Sequence, residues 1–519
     1  MRRTRFYTRM VYGPRVVQDL TWHADPPSPT EVEGRRRCLA RWLLALLVLF
    51  VLGAIVYWRF VPEIPRDYTS IEEHYKYGSV GTEMATGIPY WIWRVLPEMF
   101  PEYLPDGGKG GYGALGFVVE TDANGYPLRD RPIGFSVRRI EGVERVSINC
   151  AACHTSTYRE KPGDAPKVLL CMPAHRLDLL NYFRFLFQCA ADGRFNVNDV
   201  MARIERRTRL GPLERIIYTV AIPLTKQNIL RIRQRADFML EHPSGPGRID
   251  TFTPYKALTF RFPDSRPFAV GNADFPSIWN QGPRGGLHLH WDGNNTSVHE
   301  RNISAALGAG ATPTSIDLER LKRIEDWLVS FPAPKYPFPI DEALARRGEP
   351  LYARSCARCH GLLKGGKFEG ESVGQVEPID RINTDRERLD SYSLDLAENQ
   401  YTLGTRQPWR FKHFRKTDGY ANHPLDGIWA RAPYLHNGAV PTLRDLLEPP
   451  ERRPKVFYRG YDVYDPQKVG FVSTVAEEGG RHFSRFDTSV RGAGNGGHEY
   501  GTGLSDDEKR ALVEYMKTL

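Results

Sequence analysis

Cys150-Ala-Ala-Cys153-His154 and Cys356-Ala-Arg-Cys359-His360 are the most informative stretches of this 519-residue chain. Both follow the pattern Cys-x-x-Cys-His, with two thiols two residues apart and a histidine directly after them. This spacing matches the two vinyl groups of a haem, and the histidine then lies over the porphyrin face as an axial iron ligand. The sequence therefore predicts two covalently bound haem c groups, one held by each pentapeptide.

The remaining cysteines argue against the other interpretations of this pattern, a zinc half-site or a thioredoxin-like redox pair. A zinc site needs further Cys or His ligands at short spacing, and Cys171 and Cys189 form no second Cys-x-x-Cys. These two residues form a disulfide in an oxidising compartment or remain buried thiols, and the sequence leaves both alternatives open.

Cys38–Trp58 (CLARWLLALLVLFVLGAIVYW) is an apolar run of 21 residues, long enough to span a bilayer core. Arg35, Arg36 and Arg37 precede it, so the positive-inside rule places the N-terminus in the cytoplasm. No small-residue cleavage site follows the run, which favours a permanent signal anchor over a cleaved signal peptide. We expect a single-pass protein of the bacterial inner membrane with its haem domains in the periplasm, where c-type haem is attached.

The net charge of +9 does not point to nucleic acid as a partner. Residues 1–37 hold eight arginines and four acidic residues, so +4 of the excess belongs to this short segment. The segment is rich in Pro and Arg and lacks periodicity, so we expect a disordered cytoplasmic tail. The surplus that remains for the exported part is mild and does not support nucleic-acid binding.

A proline-rich linker divides the exported part in two. Phe331–Pro339 places four prolines within nine residues, a stiff extended segment. Amphipathic helices are predicted at Ile316–Ser330, before the linker, and at Leu504–Thr518, where the chain ends. The second of these opens with Ser505 and Glu508, the pattern of a capping box.

The predicted fold is mainly α, with two cytochrome-c-like haem domains behind an N-terminal transmembrane helix at 38–58. The first covers residues 59–335 and carries large insertions, and the second covers residues 341–519. Residues 59–149 form an N-terminal extension that packs against the first haem domain. Asp341–Ser355 is a helix that delivers Cys356 into the second haem pocket.

The second iron needs a ligand opposite His360, and the sequence favours a histidine. Met516, inside the terminal helix, is the only methionine after His360. His498 lies in Gly494-Asn-Gly-Gly-His498, where glycines allow the backbone to approach a porphyrin closely. We expect His498 to be this ligand, with His436 as the alternative. The other candidates are His413, His423 and His482.

The ligand opposite His154 on the first iron does not follow from spacing. An open position there binds oxygen or peroxide, whereas a second strong ligand makes an electron carrier. The candidates after His154 include Met172, His175, His288, His290 and His299.

Several segments resemble a known family. Phe275-Pro-Ser-Ile-Trp-Asn280, His290-Trp-Asp-Gly-Asn294 and Ala432-Pro-Tyr-Leu-His-Asn-Gly438 are similar to the bacterial dihaem cytochrome c peroxidase superfamily. A closer likeness is to its dihaem rubber oxygenase subgroup, and it runs over residues 70–519. It is carried by Tyr75-Lys-Tyr-Gly-Ser-Val-Gly81, Gly87-Ile-Pro-Tyr-Trp91, Asn149-Cys-Ala-Ala-Cys-His-Thr155 and Gly497-His-Glu-Tyr500.

The resemblance implies roles for individual residues. Trp291 would lie between the two haems as an electron path, with the reacting iron at His154 and an electron relay at His360. Where the peroxidases carry a methionine ligand this chain has Pro450, and His498 falls at the second histidine ligand of the rubber oxygenases. The wider superfamily also implies a calcium ion between the domains.

The family places a distal carboxylate in a region that here reads Ser304-Ala-Ala-Leu-Gly-Ala-Gly-Ala-Thr312, without one. Glu300 is the nearest candidate for a catalytic acid or base, and Gln281 is a weaker one. The rubber oxygenases have a phenylalanine where this chain offers Ala306 or Leu307.

We therefore expect a haem-dependent oxidoreductase that activates dioxygen or peroxide, with an electron-donor protein as its redox partner. A hydrogen-peroxide-reducing dihaem peroxidase and a non-catalytic electron carrier are the alternatives.

Overall fold

Helices make up 43% of the chain, and the strands are two to six residues long, so the fold is mainly helical as predicted. The computed structural model describes residues 28–60, 63–262 and 270–519. The chain separates into two units, Met1–Val61 and Pro62–Leu519.

The α-helices of the described residues are α1 (Pro29–Phe60), α2 (Ile71–Tyr77), α3 (Glu83–Thr86), α4 (Tyr90–Met99), α5 (Cys150–Cys153), α6 (Leu179–Ala191), α7 (Val197–Glu205), α8 (Pro212–Ala236), α9 (Phe252–Pro254), α10 (Val298–Gly308), α11 (Leu318–Ser330), α12 (Glu342–Ser355), α13 (Ala357–His360), α14 (Ile379–Ile382), α15 (Glu387–Ser391), α16 (Leu394–Gln400), α17 (Leu443–Leu446) and α18 (Asp506–Met516).

The strands are β1 (Ile64–Pro65), β2 (Ile88–Pro89), β3 (Phe135–Ile140), β4 (Val143–Ile148), β5 (Thr155–Tyr158), β6 (Lys167–Leu170), β7 (Arg248–Asp250), β8 (Asn272–Asp274), β9 (Leu362–Lys364), β10 (Lys367–Glu369), β11 (Val376–Pro378), β12 (Gly419–Ala421), β13 (Val456–Arg459), β14 (Tyr464–Asp465), β15 (Gly470–Phe471), β16 (Glu477–Glu478), β17 (Arg481–His482) and β18 (Ser484–Asp487). The four-stranded antiparallel sheet has the order β1-β3-β4-β2, and the other strands form two-stranded pairs.

Helix α1 contains the predicted transmembrane run and begins before it. Val32–Ala54 is long and apolar enough to cross a membrane, which fits an anchor or a signal sequence. The expected disordered tail is wrong in part, because residues 29–37 continue the helix, with a 2.7 Å ion pair between Glu33 and Arg37 one turn apart. Residues 1–27 of that predicted tail lie outside the described residues.

One large hydrophobic core joins the two halves of the unit Pro62–Leu519. A single hydrophobic cluster contains residues from Tyr75 to Met516. The predicted linker is extended, but Tyr336 and Phe338 within it pack against this cluster. The linker therefore does not separate two independent cores, because its aromatic side chains are part of the shared one. Since the unit contains this core, we expect it to fold without α1.

Helices α12 and α18 cross closely beside the second Cys-x-x-Cys-His motif. A Cβ placed on Gly348 would lie 2.0 Å from the Ala511 carbonyl oxygen, so only glycine permits this approach. Tyr352 and Tyr515 pack across the crossing with ring centroids 5.2 Å apart. The predicted capping box of α18 is present, with Ser505 and Glu508 bonding reciprocally.

Residues of the N-terminal region 63–149 pack against the first motif. The sheet of this region pairs β3 with β4, and α4 adds Trp93, which stacks on Tyr112 at 4.4 Å. A second hydrophobic cluster joins this region to α6, α7 and α8. The insertions of the first half thus share a hydrophobic cluster with Ala152 and Cys153 of the first motif.

Candidate haem sites

The first motif is held by the N-terminal extension. The Asn149 side chain caps α5 by accepting a hydrogen bond from the Ala151 N–H at 3.0 Å. Its amide donates to the carbonyls of Tyr75 at 3.2 Å and Gly78 at 2.9 Å. One asparagine thus fixes the start of the motif to the end of α2.

One ring nitrogen of His154 forms a hydrogen bond, and the other is available to bind a metal. Its Nδ1 donates to the Pro276 carbonyl at 2.8 Å, which leaves Nε2 without a proton. The Tyr75 hydroxyl donates to the His154 carbonyl at 2.6 Å and fixes the backbone. Burial, and next the charge of Arg301, lower the pKa of His154 to about 4, so the ring is neutral and able to bind iron.

The second motif repeats this arrangement. The His360 Nδ1 donates to the His423 carbonyl at 2.7 Å. The Tyr352 hydroxyl donates to the carbonyl of Gly361, the next residue, at 2.9 Å. Each motif histidine therefore has a backbone carbonyl on Nδ1 and a tyrosine that anchors its main chain. This is the outer-shell support expected of a metal-binding histidine.

No disulfide joins the four motif cysteines. Burial raises the pKa of Cys150 to about 11, and of Cys153 and Cys356 to about 12. Thiols used for redox exchange have lowered pKa values instead. Within the described ranges no three His, Cys, Asp or Glu side chains converge on a metal position. The raised thiol pKa values disfavour the thioredoxin-like alternative.

The second site fits a haem between two imidazoles. The rings of His360 and His498 have centroids 6.1 Å apart. A nitrogen ligand lies about 2 Å from its metal and a ring centroid roughly 1.1 Å behind that nitrogen. Two imidazoles on opposite faces of one iron therefore have centroids about 6 Å apart. Burial, and next the charge of His360, lower the pKa of His498 to about 3 and keep its ring neutral.

The loop that carries His498 is held from both sides. A Cβ on Gly497 would lie 2.3 Å from the Asn383 carbonyl carbon, and Gly497 has φ +70°, so this position requires glycine. The buried Arg453 donates to the carbonyls of Asn495 and Gly497 at 2.7 Å and of His498 at 3.2 Å. Sequence analysis missed Arg453, because no local pattern marks an arginine that binds carbonyls more than forty residues away.

His436, the alternative ligand, is engaged elsewhere. Its ring stacks on Tyr420 at 4.1 Å, and its Nε2 lies 3.1 Å from the Tyr420 hydroxyl. That hydroxyl donates to the Asp385 carbonyl at 2.7 Å, so His436 donates to it in turn. Between the two candidates, the structure brings His498 to His360.

Trp291 lies between elements that contact the two motif histidines. Its indole N–H donates to the Asp274 carbonyl at 2.8 Å, two residues before Pro276, the acceptor of His154. Its ring meets His423 edge-on at 5.8 Å, and the His423 carbonyl accepts from His360. A short series of covalent bonds and contacts thus joins both motifs through Trp291.

The Glu300 carboxylate is hydrogen-bonded to the loop that contains Lys412 and His413. Its carboxylate accepts from the backbone N–H groups of Lys412 at 2.8 Å and His413 at 3.0 Å. It also contacts His413 Nδ1 at 2.7 Å and the Asn295 amide at 3.2 Å. These bonds use both oxygens, so the carboxylate is not free to carry a proton. Gln281 pairs with Asn302 at 2.9 Å.

Most of the ligand candidates for the first iron have other partners. His175 Nε2 donates to the Thr157 carbonyl, and the ring stacks on Phe471 at 3.7 Å. Three other histidines have hydrogen-bond partners: His288 contacts the Gly293 carbonyl, His290 the Asn294 side chain and His299 the Glu325 carboxylate. Met172 is fully buried.

Arg301 is a charged residue of this region that sequence analysis missed. It is buried on α10, and its guanidinium has no hydrogen bond or ion pair with any residue that the structure describes. Burial lowers the pKa of its guanidinium to about 10, and its charge acts on Cys150 and His154. The sequence feature that could have identified it is a cation three residues before the apolar Ser304–Thr312 segment.

Two further expectations concern the bonding state of Cys171 and Cys189 and a calcium ion. Cys171 and Cys189 are buried free thiols, so the structure shows the unbonded alternative. The calcium ion stays a prediction.

Comparisons with known proteins match part of the chain. A family model described as RoxA-like, cytochrome c-like matches residues 419–458. The uncharacterized protein y4iM of Sinorhizobium fredii is 32% identical over 290 residues, which cover 49% of this chain and 66% of that protein. The uncharacterized protein y4iJ of the same organism is 45% identical over 366 residues, which cover 53% and 60%. This chain therefore spans less than two thirds of either relative.

The RoxA-like match supports a relationship to the RoxA-like dihaem cytochromes c over a small region. That region includes His423, whose carbonyl accepts from His360, and the Ala432–Gly438 segment. A cytochrome c-like domain implies haem c and a cytochrome-type redox function.

Proposed function

We propose that this protein is a membrane-anchored periplasmic dihaem cytochrome c with oxidoreductase activity. The first haem, at His154, activates dioxygen or peroxide, and the second, at His360 and His498, relays electrons. The main support is the difference between the sites. His360 faces His498 at 6.1 Å, whereas His154 has no imidazole at a comparable ring distance in the part of the chain that the structure describes. An iron closed on both faces suits electron transfer, and one with an open face binds a small ligand.

Trp291 supports communication between the two sites. It contacts His423, whose carbonyl holds His360, and it donates to Asp274, close to the carbonyl that holds His154. An indole is large and polarisable and extends an electron path between two acceptors. The arrangement fits a relay better than two independent haems.

The surroundings of the first site favour dioxygen over hydrogen peroxide. Peroxide reduction needs a group that carries a proton between the two oxygens. Glu300 is bound by the 412–413 loop, and Ala306 and Leu307 are buried and apolar. Arg301 supplies a fixed positive charge but no proton acceptor at neutral pH, because its pKa lies near 10. These residues disfavour the peroxidase alternative.

Electron paramagnetic resonance of the oxidised, full-length protein tests the proposal. We expect one high-spin and one low-spin ferric signal, with cyanide converting only the high-spin one, and two equivalents of haem by pyridine haemochrome. Two low-spin signals that ignore cyanide would instead assign the protein as an electron carrier. Turnover of hydrogen peroxide with a reduced donor protein, but no use of dioxygen, would assign it as a peroxidase.

A further inference from the structure

Helix α8 exposes an apolar stripe to solvent. Leu213, Ile216, Val220 and Leu224 are 46%, 63%, 55% and 53% exposed. They are spaced three or four residues apart, so they share one face of the helix over about three turns. Isolated apolar residues are common on protein surfaces, but a contiguous stripe of large aliphatic side chains marks an interaction site.

The opposite face of α8 already contacts the core. Tyr218, Ile222, Thr225 and Ile229 are buried, and all but Thr225 belong to the cluster that includes α6 and α7. The exposed stripe therefore does not hold α8 in the fold. A helix that is apolar on both faces needs a second apolar environment.

Basic residues surround this stripe. Residues 206–235 hold eight Lys or Arg and one Glu, hence a net charge of +7, whereas the whole chain carries +9. The charge of this segment exceeds the +5 that remains after residues 1–37 are set aside, so the positive charge of the rest of the chain is concentrated at α8 and its flanks. The exposed arginines that have no ion pair with a described residue are Arg206, Arg209, Arg231 and Arg235.

We propose that this face of α8 binds the surface of a bilayer that contains anionic phospholipids. The aliphatic side chains enter the headgroup region, and the arginines contact lipid phosphates, which suit the planar guanidinium fork. A soluble protein partner is disfavoured because the apolar stripe and the cationic flanks together match an interfacial amphipathic helix. The inference is independent of the proposed redox chemistry.

Helix α1 of the same chain would hold α8 near a bilayer. Val32–Ala54 is long and apolar enough to cross a bilayer, so tethering by α1 raises the effective lipid concentration seen by α8. In the intact chain a weak interfacial contact by α8 is then sufficient, because the tether already holds the helix near the bilayer. The second contact would limit how the haem-bearing unit can turn above the membrane.

Flotation of the unit Pro62–Leu519 with vesicles tests this binding without the contribution of α1. We expect flotation with vesicles of phosphatidylcholine and phosphatidylglycerol, loss of flotation at high salt, and none with phosphatidylcholine alone. The triple variant Ile216→Gln, Val220→Gln, Leu224→Gln should bind roughly a hundredfold more weakly. The triple variant Arg209→Gln, Arg231→Gln, Arg235→Gln should reduce both the affinity, by roughly a hundredfold, and its salt dependence.

Val490→Gln is the matched control, because Val490 is an exposed aliphatic residue outside α8 and its variant should bind like the parent. Circular dichroism and thermal melting show that each variant is folded. In the full chain reconstituted into nanodiscs, the α8 arginines should resist trypsin only with anionic lipid. Flotation that ignores lipid charge and the triple substitution overturns the proposal. So does a dimer of this unit in light scattering that the triple variant abolishes while vesicle binding is absent.

Discussion

The rings of His360 and His498 face each other with centroids 6.1 Å apart and planes inclined by 43°. One lies at the end of α13, and the other lies in the loop before α18. The close crossing of α12 and α18 brings these two segments together, so the second candidate site depends on helix packing as well as on the motif.

Substitution of His498 by Gly should open the second iron without releasing the haem. The proposed thioether bonds to Cys356 and Cys359 are not affected, so haem content should stay at two equivalents while the low-spin ferric signal is replaced by a high-spin one. Added imidazole should restore the low-spin signal. His436→Gln is the control, and a low-spin signal that is lost there but kept in His498→Gly would reverse the assignment.

Arg453→Met should loosen the loop that presents His498. The substitution removes bonds from a buried cation to three carbonyls of this loop, and we expect a loss of about 2–4 kcal/mol in the free energy of unfolding. The low-spin spectrum of the second haem should also become heterogeneous. Arg453→Lys keeps the charge but not the fork and should rescue only part of the effect. A homogeneous parental spectrum in Arg453→Met would show that the arginine does not position His498.

Gly348→Val should prevent the α12–α18 crossing. Even a Cβ there would lie 2.0 Å from the Ala511 carbonyl, so we expect a loss of about 3 kcal/mol or more, measured by denaturant unfolding. Gly503→Ala is a suitable control because nothing lies within 4 Å of its added Cβ. Equal stability of the two variants would contradict the packing derived for these helices.

Trp291→Phe should slow electron transfer between the haems, as followed by rapid-mixing absorbance after reduction of the second haem. The substitution removes the 2.8 Å hydrogen bond to the Asp274 carbonyl and replaces the indole that contacts His423 by a smaller phenyl ring. The loss of one hydrogen bond should cost only about 1 kcal/mol of stability. Trp327→Phe, in α11, is the control for a tryptophan outside this path, and equal rates in both variants would refute the relay.

His175 should make the protein sensitive to acid. Burial lowers the pKa of His175 to about 3, against about 6.5 in the unfolded chain. The unfolded state therefore binds the extra proton, and the stability contributed by the neutral ring is complete above about pH 6.5 and is lost as the pH falls toward 3. His175→Gln should flatten the decline of the urea midpoint between neutral and acid pH.

His482→Gln is the opposite control for that experiment. A bond to Asp106 raises the pKa of the exposed His482. Its contribution to stability is therefore complete below the unfolded pKa and is lost as the pH rises through the folded one. An unchanged acid slope in His175→Gln would show that other groups control the transition.

Local patterns predicted the features that depend on neighbours in the chain. The Cys-x-x-Cys-His spacing, the apolar run, and the capping box of α18 are each complete within a short segment. Two predicted helices, Asp341–Ser355 and Leu504–Thr518, are present as α12 and α18 within one or two residues at each end. Residues 29–37 are the exception, because the propensity of the apolar run extends its helix further back.

Long-range packing determined the rest. The prolines of 331–339 correctly predicted an extended segment, but only the folded chain shows that Tyr336 and Phe338 join the shared core. Glu300 was a reasonable acid or base by position, yet it is bound by backbone groups more than one hundred residues away. Neither the core packing of the linker nor the hydrogen bonds of Glu300 can be predicted from residues that are adjacent in the sequence.

The sequence by itself determined that this chain carries two Cys-x-x-Cys-His motifs and one run long enough to span a membrane, because each depends on the spacing or the length of a single segment. Tertiary structure alone decided that His498 rather than His436 faces His360, that Arg453 holds its loop, and that α8 keeps an apolar face in solvent. The physical reason is that these relationships arise when distant segments pack together, and burial then determines which side chains are free to act.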